Sequence, residues 1–340
     1  VLEIWILFVI WCFPYGDMLR RPRRNRKNRW IRDLVAEANL DLKDLMFPLF
    51  LKEGKGLKEE IASMPGIYRY STDELVREIE QCLELGIHSF ALFPSIADNL
   101  KDRSASEGLN PDGLYPEAIR TLKSRLPEAI LLTDVAMDPY SSDGHDGLVV
   151  DGEILNDETV DILARMALVQ AQAGSDIIGP SDMMDGRVKA IRETLDENGL
   201  RNVSIMSYTA KYASVFYGPF RDALDSAPKH GDKKTYQMDP RNRREAIIEG
   251  ELDMEEGADF LMVKPALPYL DVIYQLSSVF ELPVAAYNVS GEYAMIKAAD
   301  QKGWLDGSLA MVESLMAIKR AGASIILTYF AREFAETLKG

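Results

Sequence analysis

A fourfold recurrence constrains this chain more than any other feature: a helix-like segment reaches a glycine, and an apolar run begins almost at once. It occurs at Leu85-Gly86-Ile87-His88-Ser89-Phe90, Ala173-Gly174-Ser175-Asp176-Ile177-Ile178, Glu256-Gly257-Ala258-Asp259-Phe260-Leu261 and Ala321-Gly322-Ala323-Ser324-Ile325-Ile326. Glycine just past a helix end tolerates the left-handed backbone that stops the helix. A chain that turns there into an apolar run is entering a buried parallel strand. The four glycines lie 88, 83 and 65 residues apart, which leaves room for one more strand in each gap. Residues 129–135, 202–208 and 283–289 fill those gaps, and residues 46–50 open the series. Residues 72–85, 157–173, 239–255 and 309–320 carry helical periodicity between them. The expectation is an α/β protein in which eight strands alternate with helices, a (β/α)8 TIM barrel with an extended N-terminal arm. A doubly wound open sheet is the alternative, but no GxGxxG sequence follows a strand to support it.

The chain has 340 residues, 47% of them hydrophobic, enough for one large core. Its net charge of −15 argues against nucleic acid as a partner of the folded body. Residues 20–32 break that balance with Arg20, Arg21, Arg23, Arg24, Arg26, Lys27, Arg29 and Arg32 and no acid. Such an arm suits an acidic neighbouring subunit better than a nucleic acid. The expected organisation is an apolar leader at 1–17 outside the fold, a basic arm at 18–40 and a catalytic barrel at 41–340. Within the leader, residues 4–13 are too short an apolar run to span a bilayer. They also lack the basic residues that open a signal peptide, so no membrane partner is expected. Cys12 and Cys82 form no CxxC pattern and fit a reducing, cytoplasmic setting. Three histidines, His88, His145 and His230, leave little basis for a multi-histidine metal site.

In a barrel of this kind chemistry sits where strands end. Strand three would end at Asp134, strand four at Ser181 and Asp182, and strand five at Lys211. Strands six, seven and eight would end at Lys264, Ser290 and Tyr329. Two lysines on adjacent strands are the unusual part. A single lysine at a strand end can pack its stem and send its ammonium to water. Two in one partly desolvated mouth repel, and burial and repulsion both lower the pKa. A lysine neutral near pH 7 attacks carbonyl carbon and forms an imine. Lys264, which closes the apolar strand, is therefore the expected Schiff-base residue, with Pro265 fixing the backbone behind it. Long polar insertions at 141–157 and 212–238 follow strands three and five and should lie over the mouth. Arg221, Lys233 and Lys234 in the second insertion could grip a carboxylate, and Ser290 with Tyr329 a second one. A keto acid is the simplest matching substrate.

Several strings are long and unusual: Met206-Ser207-Tyr208-Thr209-Ala210-Lys211-Tyr212-Ala213-Ser214, Tyr217-Gly218-Pro219-Phe220-Arg221-Asp222-Ala223, Pro180-Ser181-Asp182-Met183-Met184-Asp185-Gly186-Arg187, Met262-Val263-Lys264-Pro265-Ala266 and Val289-Ser290-Gly291-Glu292-Tyr293. With them the chain, from about residue 21 onward, resembles the porphobilinogen synthase (5-aminolevulinate dehydratase) family. The resemblance implies that two 5-aminolevulinate molecules condense to porphobilinogen with loss of two waters, on the way to haem and chlorophyll. It implies Schiff bases on both lysines, Lys264 holding the substrate of the propionate side and Lys211 that of the acetate and aminomethyl side. Arg221 and Lys233 would bind the carboxylate on the Lys211 side, with Gln237 nearby. Ser290 and Tyr329 would bind the other, and Ser181 and Asp134 would line the floor.

Zinc-dependent relatives carry three cysteines where this chain has Ala136, Asp138 and Asp146. Thiolates suit zinc, whereas carboxylates suit magnesium or no metal, so no catalytic zinc is expected. Asp138, Asp143 and Asp146 could be a solvated acidic loop, a weak magnesium site, or acceptors for the substrate amino group. The resemblance also places an allosteric, water-shelled Mg2+ at Glu249 near a subunit contact, and a basic arm around a neighbour in a homo-octamer. Two other readings stay open: a class I aldolase, which needs one such lysine, and a nucleic-acid-binding protein resting on the arm.

Overall fold

The computed structural model describes residues 20–224 and 231–339, so the apolar leader with Cys12, and His230, lie outside the described residues. Eight parallel strands form at the expected places: β1 Leu45–Lys52, β2 Ser89–Ser95, β3 Ile130–Val135, β4 Ile177–Pro180, β5 Ser204–Lys211, β6 Phe260–Lys264, β7 Val284–Asn288 and β8 Ile325–Thr328. Each pairs with its successor, and β8 returns to β1 through Leu45 opposite Ile326 and Met46 opposite Leu327. The sheet is closed, as a TIM barrel requires. The four turn glycines take the left-handed backbone that the pattern demanded, with φ of +97° at Gly86, +111° at Gly174, +101° at Gly257 and +115° at Gly322. Any side chain there would be strained.

The helices cover the barrel with one apolar face each. Thr72–Leu85 buries Leu75, Val76, Ile79 and Cys82, the three- and four-residue spacing of a helix stripe. Asn156–Ala173 and Gly307–Arg320 begin within two residues of their expected starts. The helix expected from 239 begins only at Glu245 and runs to Glu255. Asp239 explains the delay: its carboxylate accepts the Arg241 N–H at 2.9 Å, closing a side-chain turn that competes with the helix. Both long insertions carry structure of their own. The first contains the hairpin Leu148–Val150 with Glu153–Leu155, and the second the turn Val215–Tyr217 and the short helix Gly218–Leu224. Another hairpin, Lys58–Glu60 with Tyr68–Tyr70, follows β1. Its three-residue strands are too short to show a period in sequence.

One irregularity in the barrel matters for the site. Ser207 of β5 lies opposite Leu261 of β6, yet Ala210 lies opposite Val263, so β5 takes three steps where β6 takes two. This is a β-bulge, and it re-aims every residue beyond it. Lys211 returns to register opposite Lys264.

The described part of the arm, a separate unit that ends at Asn39, holds the helix Arg29–Leu34. Asn28 caps that helix by accepting the Ile31 N–H at 3.0 Å. No helix among the described residues is long and apolar enough to cross a membrane.

Beneath the β4 and β5 ends, Arg187 and Asp253 form an ion pair of 2.9 Å with side chains 3% and 0% exposed. Ser207 completes it, accepting from Arg187 at 3.0 Å and donating to Asp253 at 2.7 Å. Removing one partner of such a pair strands the other charge without water. Asp253→Ala should therefore cost about 3–5 kcal/mol in urea denaturation. Asp161→Ala, which breaks the exposed pair with Arg165, should cost less than about 1 kcal/mol.

Candidate active site

The two lysines face each other across the β5–β6 ladder. Lys264 is 5% exposed, and its Nζ lies among four aromatic rings: 5.0 Å from Tyr208, 5.3 Å from Tyr217, 5.0 Å from Phe220 and 4.6 Å from Tyr287. Burial pushes its pKa down to about 7, and the Lys211 charge adds to the shift. Asp134, Asp138 and Asp146 oppose it. Ring faces favour a cation, but here they do not compensate for the lost hydration. Tyr208 and Lys211 reach the same mouth although three residues apart, because the bulge lies between them.

Asp134, at the end of β3, is buried below both lysines, with Oδ1 free of any protein hydrogen bond. Burial lifts its pKa to about 7 against the pull of Lys264 and Lys211. Lys211 donates to the Ser181 carbonyl and sits 3.8 Å from Asp146 Oδ2. Lys233 lies 3.1 Å from Asp138 Oδ2 and 3.1 Å from Asp146 Oδ2. Burial works against ionising Asp146, but Lys211 and Lys233 hold its carboxyl at about 2. Asp138 is pushed up by burial and by the Asp146 charge.

The other expected residues are engaged differently. Ser290 is fully buried, and its hydroxyl accepts the Phe220 N–H at 3.0 Å and donates to the Phe216 carbonyl at 3.2 Å. The lid backbone thus occupies the group expected to hold a carboxylate. Tyr329 meets Tyr287, hydroxyl to hydroxyl, at 3.0 Å. Arg221 is half-buried on the lid helix Gly218–Leu224. Gln237 is buried with its side-chain oxygen unpartnered. Lys234 stays exposed and pairs with Asp232 at 3.3 Å, away from the cluster.

Sequence reasoning missed the aromatic cage, the clasp between the two insertions and one anchoring acid. The clasp is His145 Nδ1 at 3.1 Å from the Tyr236 hydroxyl. The acid is Glu292, whose carboxylate accepts the N–H groups of Ala266, Leu267 and Val289. It ties the turn after Lys264 to the turn before Ser290. A Glu three residues into a helix is a sequence signal for capping, but its reach to a second loop is not.

Zinc does not fit the residues at the expected position. Ala136 offers no donor, and the two carboxylates already share an ammonium. Magnesium fits better at Glu249, half-buried on Glu245–Glu255 beside a crevice that Asp185, Asn242 and Glu245 also line. Burial lifts Glu249 to about 7, helped by Asp253, Asp185 and Glu245 against Arg187. One such carboxylate with a shell of waters is an ordinary way to hold Mg2+.

The family model for delta-aminolevulinic acid dehydratase matches residues 19–337. A delta-aminolevulinic acid dehydratase of Bradyrhizobium diazoefficiens is 57% identical over 96% of this chain and 93% of its own. The chloroplastic delta-aminolevulinic acid dehydratase of Oryza sativa is 54% identical over 95% of this chain and 76% of its own. A crystal structure of delta-aminolevulinic acid dehydratase (porphobilinogen synthase) from Toxoplasma gondii, in complex with the reaction product porphobilinogen, is similar at a TM-score of 0.92 and 52% identity. That match covers 94% of this chain and 91% of the Toxoplasma one. With likeness running through nearly its whole length, the protein belongs to the delta-aminolevulinic acid dehydratase family.

Proposed function

We propose that Lys264 and Lys211 together perform the family's reaction, the condensation of two 5-aminolevulinate molecules to porphobilinogen in tetrapyrrole biosynthesis, each through an imine to a substrate ketone. The observation that carries this reading is the facing pair itself, with Lys264 buried and held near neutrality. The uncharged Lys264 amine attacks the ketone carbon, and the carbonyl oxygen leaves as water once protonated. Asp134, poised at about 7 beneath both lysines, is placed to give and take that proton. The same step at Lys211 fixes the second substrate. When carbon–carbon and carbon–nitrogen bonds then join the two substrates, both lysines are released and two waters have been lost. A class I aldolase would leave Lys211 without a task.

Arg221 suits the carboxylate on the Lys211 side, with Gln237 offering its unpartnered amide oxygen to an N–H there. Ser290 and Tyr329 suit the other carboxylate, provided the substrate displaces the Phe216 and Phe220 backbone from Ser290. The lid would then open and re-close around its ligand. On the same reading Glu249 holds an allosteric Mg2+ through water. The basic arm packs on a neighbouring copy in a homo-octamer, and the buried free thiol of Cys82 suits the cytoplasm.

Borohydride with labelled 5-aminolevulinate should trap label on Lys264, and Lys264→Ala should abolish porphobilinogen formation. Full turnover in that variant would refute the reading. Because the lowered pKa makes Lys264 neutral above about 7, imine formation should rise with pH through about 7 and level off above it. An ordinary lysine would go on rising to about 10.4. Lys211→Ala removes a like charge and should move that midpoint upward, read by rapid-quench trapping at Lys264. For the metal, activity of the stripped protein should rise with added Mg2+, and Glu249→Ala should lose that response. Restoration by zinc alone would overturn the magnesium assignment.

A further inference from the structure

The hairpin Lys58–Glu60 with Tyr68–Tyr70 supplies no residue to the site described above, yet one of its side chains reaches the lid. Arg69 donates from Nε to the Ala223 carbonyl at 2.6 Å and from Nη2 to the Asp222 carbonyl at 2.5 Å. Both carbonyls lie in the last turn of the lid helix Gly218–Leu224, where the helix supplies no N–H of its own. A guanidinium placed there satisfies both and complements the negative end of the helix dipole. Its third nitrogen, Nη1, pairs with Glu59 at 2.6 Å, and the other oxygen of Glu59 takes Lys52 at 2.6 Å. Glu59 stands directly opposite Arg69 in the hairpin, so the fork is aimed before it meets the lid.

The hairpin does not need this contact to stay in place. Arg69 lies opposite Phe50, and Tyr70 opposite Leu51, in a parallel pairing with β1. The Tyr293 hydroxyl also donates to the Pro65 carbonyl at 2.6 Å, between the two hairpin strands. What the contact holds is the lid helix, whose seven residues are too few to form a stable helix unaided. The first turn of that helix is tied down at Phe220. Its N–H goes to Ser290, and its ring lies 5.7 Å from Phe50, 5.1 Å from Phe93 and 5.0 Å from the Lys264 amine. Arg69 holds the last turn.

We propose that Arg69 is the latch of the lid: by capping the helix Gly218–Leu224 from the hairpin, it keeps Phe220 over Lys264 and water away from the amine. It is a positioning residue, acting through the lid and not on the substrate. This rests on the reading of Lys264 as an imine-forming residue. Opening the lid breaks both contacts to the helix carbonyls and closing remakes them, so the latch favours the closed form in which Lys264 is dry. The charged groups that act on Lys264 are Lys211, Asp134, Asp138 and Asp146, and none lies on the lid helix or the hairpin. Loosening the latch therefore changes the hydration of the amine and leaves its charged neighbours where they are.

The test uses the full chain and two independent readouts. Hydrogen exchange followed by mass spectrometry should run about tenfold or more faster through residues 218–224 in Arg69→Met than in the parent, with β6 unchanged. In the same variant the pH midpoint of borohydride trapping on Lys264 should move from about 7 toward the ordinary lysine value of about 10.4. At pH 7, kcat/KM should fall about tenfold. Arg69→Lys keeps the charge and loses the fork, so it should fall between the parent and Arg69→Met in both readouts. If Arg69 only fastens the hairpin, Arg69→Met lowers the melting temperature while lid exchange and the midpoint stay parental, and the proposal is overturned. Should Arg69→Met fail to fold, Arg69→Gln with Glu59→Gln removes both charges of the cross-strand pair and is the variant to measure. Faster lid exchange in it supports the latch, and parental exchange overturns it. Absence of trapping on Lys264 in the parent would refute the imine chemistry itself, and lid exchange would still decide the latch.

Discussion

Withholding water from Lys264 sets the terms for the rest of the mouth. An ammonium taken out of water loses several kcal/mol of hydration, and the protein returns only part of it through ring faces and the carboxylates of Asp134, Asp138 and Asp146. The amine responds by giving up its proton near neutrality. That one response makes it a nucleophile, and it needs a lumen closed on all sides. β8 pairing with β1 closes the wall, and the lid residues Tyr217 and Phe220 close the top.

The second lysine lives under opposite rules. Lys211 reaches the Ser181 carbonyl and lies near Asp146, so it keeps polar company where Lys264 has rings. Neighbours on adjacent strands thus occupy unlike environments, a common way to separate roles between similar groups. The acids below divide in the same manner: for Asp134 burial outweighs the pull of Lys264 and Lys211 and it sits near 7, while Asp146 is braced by Lys211 and Lys233 and held at about 2.

Much of this was legible in the chain. The glycine–apolar recurrence carried the barrel because it reports two local facts at once, a helix stop and a strand start. Lys211 and Lys264 stood out because a lysine ending an apolar strand contradicts the ordinary cost of burying an amine. The rest depended on contacts that sequence does not encode locally. Nothing around Lys233 announces that its ammonium turns toward Asp138 and Asp146, which lie 95 and 87 residues away. Nothing around Ser290 announces that a lid backbone engages it. The late start of the helix at Glu245 was readable in principle, since Asp239-Pro240 is a turn-forming pair. The β5 bulge was not, because an alternation pattern says nothing of the partner strand's count.

That bulge has an arithmetic consequence. Side chains on a strand alternate between two faces, so residues an odd number apart point opposite ways unless something resets the count. Tyr208 and Lys211 differ by an odd number and yet share the lumen, because one extra residue in β5 performs the reset. Deleting a single residue between Ser207 and Ala210 could leave the barrel closed and the core apolar, while turning the amine of Lys211 outward into the helix layer. Here the number of residues in a strand is as much a part of the chemistry as their identity.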